Sequence, residues 1–175
     1  MIEIELKVRV DSLDPLRSRL EQKGAEFQGK DHEHDIYYNA PHRDFGLTDE
    51  ALRVRYTESG ALLTYKGAKI KKLGLKAREE LNTGLESGEV FEQVLDRLGF
   101  KKTAEVNKWR ENYRLGEAAF ALDEVEHLGT FVEIEIMTES DGEGTTKRIE
   151  ALAKEFEING EPILASYLEL LLSRQ

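Results

Sequence analysis

Met1-Ile2-Glu3-Ile4-Glu5-Leu6-Lys7 sets two carboxylates and an ammonium at every second position, with apolar residues between them. Strict alternation is the period of a β-strand. Glu3, Glu5 and Lys7 therefore share one face, and Ile2, Ile4, Leu6, Val8 and Val10 share the other. Carboxylates about 7 Å apart along a strand can converge on a hard divalent cation, which takes oxygen ligands. A lysine one step further on can hold an oxyanion. For one strand alone, a solvated outer face is the ordinary explanation. Recurrence of the pattern is what shifts the balance.

The same parity returns along the chain. Arg53 and Arg55 share a face opposite Leu52, Val54 and Tyr56, and Lys66 stands with Thr64 opposite Leu63 and Tyr65. Lys76, Arg78 and Glu80 line up, as do Lys108 and Arg110. Asp123 stands with Ala121, and Glu133 and Glu135 oppose Val132, Ile134 and Ile136. A wet sheet face accounts for the amphipathicity but predicts mixed signs within each strand. Here the signs are sorted: Glu-x-Glu at 3–5 and 133–135, basic pairs between them. That points to a cation site facing a polyanion site. If the sheet closes, the charged faces line a lumen with more bases than carboxylates, and the apolar faces turn outward against helices. Such charges must be paired or coordinated. A triphosphate with magnesium or manganese meets that need, because these metals take carboxylate and phosphate oxygens.

The elements that would carry these residues can be read from period and punctuation. A first strand runs to about Val10, and Asp11-Ser12 caps a helix with Leu13, Leu16 and Leu20 at helical spacing, stopped at Gly24. Residues 25–39 are extended and 42–49 form a polar loop. Strands 52–57 and 62–66 flank the hairpin signal Glu58-Ser59-Gly60. A lysine-rich loop follows at 67–74 (Lys69, Lys71, Lys72), then a strand at 75–82. Residues 86–98 form a helix with Val90, Phe91, Val94, Leu95 and Leu98 on one side. Residues 100–115 hold one bent strand or two, and further strands lie at 118–124 and 130–138. An acidic linker at 139–144 leads to a helix at 145–156, and Pro162 fits the first turn of a last helix over 163–172. About eight strands at hairpin-like spacing predict an α+β antiparallel sheet, of a size that tends to curl or close.

With 175 residues, the chain suffices for a single domain, and 34% of it is charged. A net charge of −10 argues against a nucleic-acid binder that works by overall basicity. The absence of cysteine excludes disulfides and thiolate metal sites. No signal peptide and no apolar run of membrane-spanning length is present, so the expectation is a cytoplasmic protein without a membrane partner.

The ordered motifs resemble a known family. Glu3-Ile4-Glu5-Leu6-Lys7 is similar to the ExExK signature of the CYTH superfamily, named for class IV adenylyl cyclases and thiamine triphosphatase. Leu52-Arg53-Val54-Arg55, Thr64-Tyr65-Lys66-Gly67, Lys108-Trp109-Arg110, Asp123-Glu124-Val125 and Glu133-Ile134-Glu135 follow in the order of that family. The stretch from His34-Asp35-Ile36-Tyr37-Tyr38 to Asp44-Phe45 resembles the class IV cyclase branch. The resemblance implies a closed eight-stranded antiparallel β-barrel, the triphosphate tunnel, with helices packed outside. It implies one CYTH domain over residues 1–175, with the C-terminal helices at about 145–172 included. Glu3, Glu5, Asp123, Glu133 and Glu135 would bind Mg²⁺ or Mn²⁺. Lys7, Arg53, Arg55, Lys66, Lys108 and Arg110 would hold the triphosphate, with Arg78 on the same lumen-facing parity. Glu3, Glu5 and Lys7 would be the catalytic group. Cyclases of this class carry a His-Phe pair where Met1-Ile2 stands here.

Two reactions share such a clamp and differ in which phosphorus meets the nucleophile. In the cyclase version the ribose 3′-hydroxyl of ATP attacks the α-phosphorus and pyrophosphate leaves. In the phosphohydrolase version water attacks a terminal phosphorus of tripolyphosphate, thiamine triphosphate or a nucleotide. A module that binds polyphosphates without turnover, or a barrel that scaffolds a protein, belongs to a different class of function. The remaining features have plainer readings. His32-x-His34 reads as exposed neutral imidazoles rather than a metal pair. Lysines 69–72 read as a solvated loop. Trp109 points to the outer face as core, and the leucines at 164–172 pack on the barrel, with a homodimer contact as the sharper alternative.

Overall fold

The computed structural model describes residues 2–70, 75–139 and 143–174, all but the side chain of Glu143 in the last stretch. Eight antiparallel strands close into a barrel. In chain order they are β1 (Ile2–Arg9), β2 (Glu26–Asn39), β3 (Ala51–Thr57), β4 (Gly60–Lys66), β5 (Lys76–Leu85), β6 (Lys101–Leu115), β7 (Ala118–Val125) and β8 (Gly129–Thr138). Around the barrel the order is β1-β5-β4-β3-β2-β6-β7-β8. The closing seam is β1 against β8, where Glu5 opposes Glu135 and Lys7 opposes Glu133. On its other side β1 sets Glu3 opposite Arg78 and Glu5 opposite Lys76. Directly opposed residues of an antiparallel pair share a face. The register alone therefore gathers the charges of β1, β5 and β8 into one lumen.

The apolar faces turn outward and are covered by helices. Helices α1 (Asp14–Gln22) and α4 (Glu143–Glu155) lie over the largest cluster, in which Ile4, Leu20, Phe120, Ile134, Ile149 and Phe156 are fully buried. Each such side chain contributes about 1.5–3 kcal/mol by leaving water. Helix α3 (Gly88–Arg97) covers Ile36, Tyr38 and Val54 through Leu95 and Phe91. Helix α5 (Tyr167–Leu172) is the exception: it packs on Val106, Val125 and Phe131, which share the inward face of Lys108, Asp123 and Glu133, and so closes part of the lumen with an apolar layer.

Several local expectations are revised. Residues 42–49 are not wholly loop: Phe45–Thr48 form α2, because the Asp44 side chain accepts from Gly46 N as an N-cap. Residues 100–115 give one strand rather than two. Strand β6 is 15 residues long and pairs along the whole of β2. The pairing slips at Gly29, whose φ of +130° suits glycine. The last helix starts at Tyr167 and not near Pro162. Ser166 and Glu169 form a reciprocal capping box there, a stronger start signal than the proline. Residues 160–166 instead form a strap across the barrel end. Gly160 (φ +137°) passes so close that a Cβ would lie 2.6 Å from Val8 Cγ1, and Ile163 N then donates to Lys7 O at 2.8 Å. Helix α3 buries Leu95 but leaves Val90 and Leu98 58% and 63% exposed. Trp109 does face outward, yet it is 45% exposed and packs edge-on to His32 instead of entering a core. Lys71 and Lys72 lie outside the described residues. Among the described residues, no helix is long and apolar enough to cross a membrane.

Candidate active site

The lumen is lined by charged side chains from seven strands: β1, β2, β3, β4, β5, β6 and β8. Glu3, Glu5, Lys7, Arg53, Lys76, Arg78, Lys108, Arg110 and Glu133 are all buried. Strand alternation places them there, since an inward residue recurs at every second position.

At one wall Glu3, Glu5 and Glu135 converge, each offering a carboxylate oxygen within 4.8 Å of the others. Burial, followed by the neighbouring charges of Glu3 and Glu133, holds Glu135 well above the usual carboxylate range. Buried Glu3 Oε1 accepts no hydrogen bond. Three oxygen donors, one of them orphaned, fit a hard divalent cation. The other two expected ligands are differently engaged. Asp123 accepts from Arg110 Nε at 2.7 Å and from Tyr167 Oη at 2.7 Å. Glu133 is bonded to Arg110 and lies 3.1 Å from Lys7 Nζ. The structure thus brings Glu3, Glu5 and Glu135 together and sets Asp123 and Glu133 around Arg110.

Opposite lies the basic wall. Arg55 makes a two-pronged contact with Asp35, at 2.6 and 2.8 Å. Lys108 reaches Glu33 at 2.7 Å and Asp35 at 3.2 Å. Arg53 donates to Thr64 Oγ1 at 3.0 Å. Lys66 bridges Glu3 and Glu80, at 2.7 and 2.6 Å. Arg78 is spent largely on backbone, donating from Nε to Gly67 O and from Nη2 to Asp49 O. Lys7 sits between Glu5 (3.0 Å) and Glu133 and also donates to Ala165 O. Burial would lower the Lys7 pKa, but the two carboxylates outweigh it and hold the ammonium above its ordinary range.

The signs are less cleanly sorted than the sequence suggests. Glu33 and Asp35 of β2 stand in the middle of the basic wall. Burial would raise Glu33, but Arg110, Lys108 and Arg55 hold it at about 2, and Asp35 is likewise held low. With Glu80 added, the carboxylates of the lumen and its lining balance the cations instead of being outnumbered. The period-two signal was available at Glu33 and Asp35. It was hidden because His34, the outward residue between them, is polar too. Lys76, visible by parity, lies 3.2 Å from Glu5. Burial, together with the charges of Lys7 and Lys66, pushes it down to about 8. Tyr167 comes from a helix, so strand parity could not point to it. His32 and His34 lie on the outer face against Trp109 and Glu105, and among the described residues neither joins a metal-binding group.

The comparisons agree with this geometry. A model of the CYTH domain matches residues 1–163. A Methanocaldococcus jannaschii protein named "Putative adenylate cyclase MJ0240" is 37% identical, over 97% of this chain and 98% of its own. The structure of PH1819 from Pyrococcus horikoshii is 36% identical with a TM-score of 0.87, covering 99% of both chains. A Hippeastrum protein, HpAC1, is similar in fold at 22% identity and a TM-score of 0.71, over 99% of this chain and 96% of its own. It is described as an adenylyl cyclase in name with a dominant triphosphatase activity. A barrel closed around facing carboxylates and guanidinium groups, matched over most of its length by that domain model, identifies the chain as a member of the CYTH family.

Proposed function

We propose that this protein is a divalent-metal-dependent enzyme that acts on triphosphates inside the barrel, of the class IV adenylyl cyclase type. The observation that carries the reading is the placement of Glu3, Glu5 and Glu135 across one lumen from Arg53, Arg55, Lys108 and Arg110. The name of the Methanocaldococcus relative supports the cyclase version. Met1-Ile2, in place of the cyclase His-Phe pair, favours the phosphohydrolase version as a second reading.

Charge balance explains why anion and cation would bind together. Most charges of the lumen are paired with one another, so a triphosphate alone must take cations away from buried carboxylates, and a metal alone must take carboxylates away from lysines. Stripping one partner from a buried pair is costly, about 3–5 kcal/mol. Bound together, the two exchange partners at lower cost: the metal would take over Glu3 as Lys66 turns to phosphate oxygens, while Arg55 and Lys108 would share their free N–H groups with the phosphates and keep Asp35 paired. Mg²⁺ or Mn²⁺, held by Glu3, Glu5 and Glu135 with Glu133 beside them, would supply charge neutralisation on phosphate oxygens. Arg53, Arg55 and Arg110 orient the chain of phosphates, since planar guanidinium groups bind such oxygens in pairs. Lys7, fixed between Glu5 and Glu133, places an ammonium where the anion meets the carboxylate cluster. The burial of these side chains limits water at the reacting phosphorus.

The test is incubation with ATP, thiamine triphosphate and tripolyphosphate, each with magnesium and with manganese, followed by product identification. Cyclic AMP with pyrophosphate supports the cyclase version, and phosphate release the hydrolase version. Glu5→Gln should lower either rate by at least a hundredfold while thermal melting still shows a folded protein. Full activity of folded Glu5→Gln would refute the assignment.

A further inference from the structure

The strands do not supply every group in the lumen. Tyr167, from the first turn of α5, is buried and lines the space together with Ser166. The Lys7 ammonium lies 4.3 Å from the centroid of its ring, and the Lys108 ammonium 5.7 Å from it. Lys7 stands beside the carboxylate cluster and Lys108 in the basic wall, so one ring serves both sides of the site. The Tyr167 hydroxyl donates to Asp123 Oδ2 at 2.7 Å, and the same carboxylate accepts from Arg110 Nε and Nη2. Two residues earlier, Ala165 O accepts from Lys7 Nζ at 3.3 Å. With Glu5 and Glu133, that carbonyl gives the ammonium a partner for each of its three N–H bonds. The ring itself meets Phe131 edge-on, with 5.1 Å between centroids.

We propose that Tyr167 is a positioning residue for the anion site: its ring aims the Lys7 ammonium, and its hydroxyl sets the Asp123–Arg110 pair, so that both cations present their charge to phosphate oxygens. The inference rests on the triphosphate reading of the lumen and adds to it a residue that no strand supplies. Tyr167 and Ala165 both lie beyond residue 163, where the match to the domain model ends. The chemistry of the ring suits the task. A buried ammonium needs compensation. A further carboxylate would neutralise the charge that an anion requires, whereas an aromatic face attracts an ammonium and leaves its charge intact. The hydroxyl acts in parallel on Asp123, which is fully buried. A neutral donor draws off part of the carboxylate charge and loosens its hold on Arg110 without releasing it. Burial, followed by the charges of Glu133 and Asp123, holds the phenol well above its ordinary range, so it remains a donor. Its seat is firm, since the Ser166–Glu169 capping box fixes the turn from which the ring projects. Firmness matters because a misplacement of about 1 Å can cost about a hundredfold in rate.

The experiment compares wild type with Tyr167→Phe, which removes the hydroxyl, Tyr167→Leu, which removes the ring, and Leu171→Ala. Leu171 packs in the same apolar cluster but does not line the lumen, so it controls for loosened packing of α5. Three quantities are measured: tripolyphosphate affinity by calorimetry with magnesium present, melting temperature, and the NMR shift of the Lys7 ε-methylene protons. The ring current of Tyr167 should move those protons upfield. Tyr167→Phe should keep the upfield signal and bind tripolyphosphate about threefold more weakly. Tyr167→Leu should lose the signal and bind about tenfold more weakly. Leu171→Ala should melt lower yet bind within about twofold of wild type. Wild-type affinity in both Tyr167 variants, a Lys7 signal unmoved by Tyr167→Leu, or an equal loss in Leu171→Ala would reduce Tyr167 to packing. Any of these would overturn the inference and leave the lumen reading in place. A wild type that binds no tripolyphosphate would overturn both.

Discussion

Arg55 shows how a single side chain is committed both to the fold and to the ligand. Its guanidinium meets Asp35 through two parallel hydrogen bonds and lies 3.0 Å from Glu33. Arg55→Lys keeps the charge but loses the fork, and charge-assisted bonds to phosphate are the strong ones. Triphosphate affinity should fall about tenfold or more, whereas Arg97→Ala, on α3 outside the lumen, should leave it unchanged in the same titration. Glu33 gives a prediction in pH. Its folded-state pKa of about 2 lies below its ordinary value of 4.5. The stability it confers is therefore present above 4.5 and is lost as pH falls toward 2. Denaturant titrations between pH 7 and pH 3 should show wild type losing more stability than Glu33→Gln over that interval. A parallel loss in both would remove Glu33 as a contributor.

At the level of elements, the strands were legible and the ends of helices were not. Period-two alternation identifies β1, β3 and β8 because each has one face of charge and one that is mostly apolar, whereas β6 shows only the inward pair Lys108 and Arg110. The same parity directs Arg53, Arg55, Lys108 and Arg110 inward. Strand β2 hides its two lumen carboxylates, because the outward face there carries two histidines and a glutamate-bonded tyrosine with Ile36 as the one aliphatic residue among them. Helix α5 was misplaced by several residues. Pro162 is a local signal, whereas the strap that Pro162 belongs to is fixed by a contact with Lys7 O that no local pattern contains. The Ser166–Glu169 capping box was present in the sequence and outweighed the proline. Ser166→Ala should cost about 1 kcal/mol. It should also loosen Tyr167, which reaches Asp123 from the first turn of α5. Chemical denaturation and the tyrosine near-ultraviolet dichroism would read both effects. An unchanged midpoint together with unchanged dichroism would mean that the cap does not position the ring.

For the whole molecule, the inverted arrangement of charge inside and hydrocarbon outside sets the energetics. Helices α1, α3 and α4 stabilise the barrel from without, and α5 packs against its inner face. Among the described residues, the lumen charges are held largely in internal pairs such as Lys66–Glu3 and Arg110–Asp123, which a ligand must rearrange. Anion and cation therefore assist one another, because each relieves the partner groups that the other leaves behind. The most direct measurement is a thermal-shift series with phosphate, pyrophosphate and tripolyphosphate, each with and without magnesium. Ligands that bind the folded state raise its melting temperature by mass action. Tripolyphosphate with magnesium should raise it by more than the sum of the two separate shifts, and phosphate should do little, since it reaches only part of the basic wall. Equal shifts for the three anions, or additive shifts with magnesium, would contradict a lumen built to hold metal and triphosphate together.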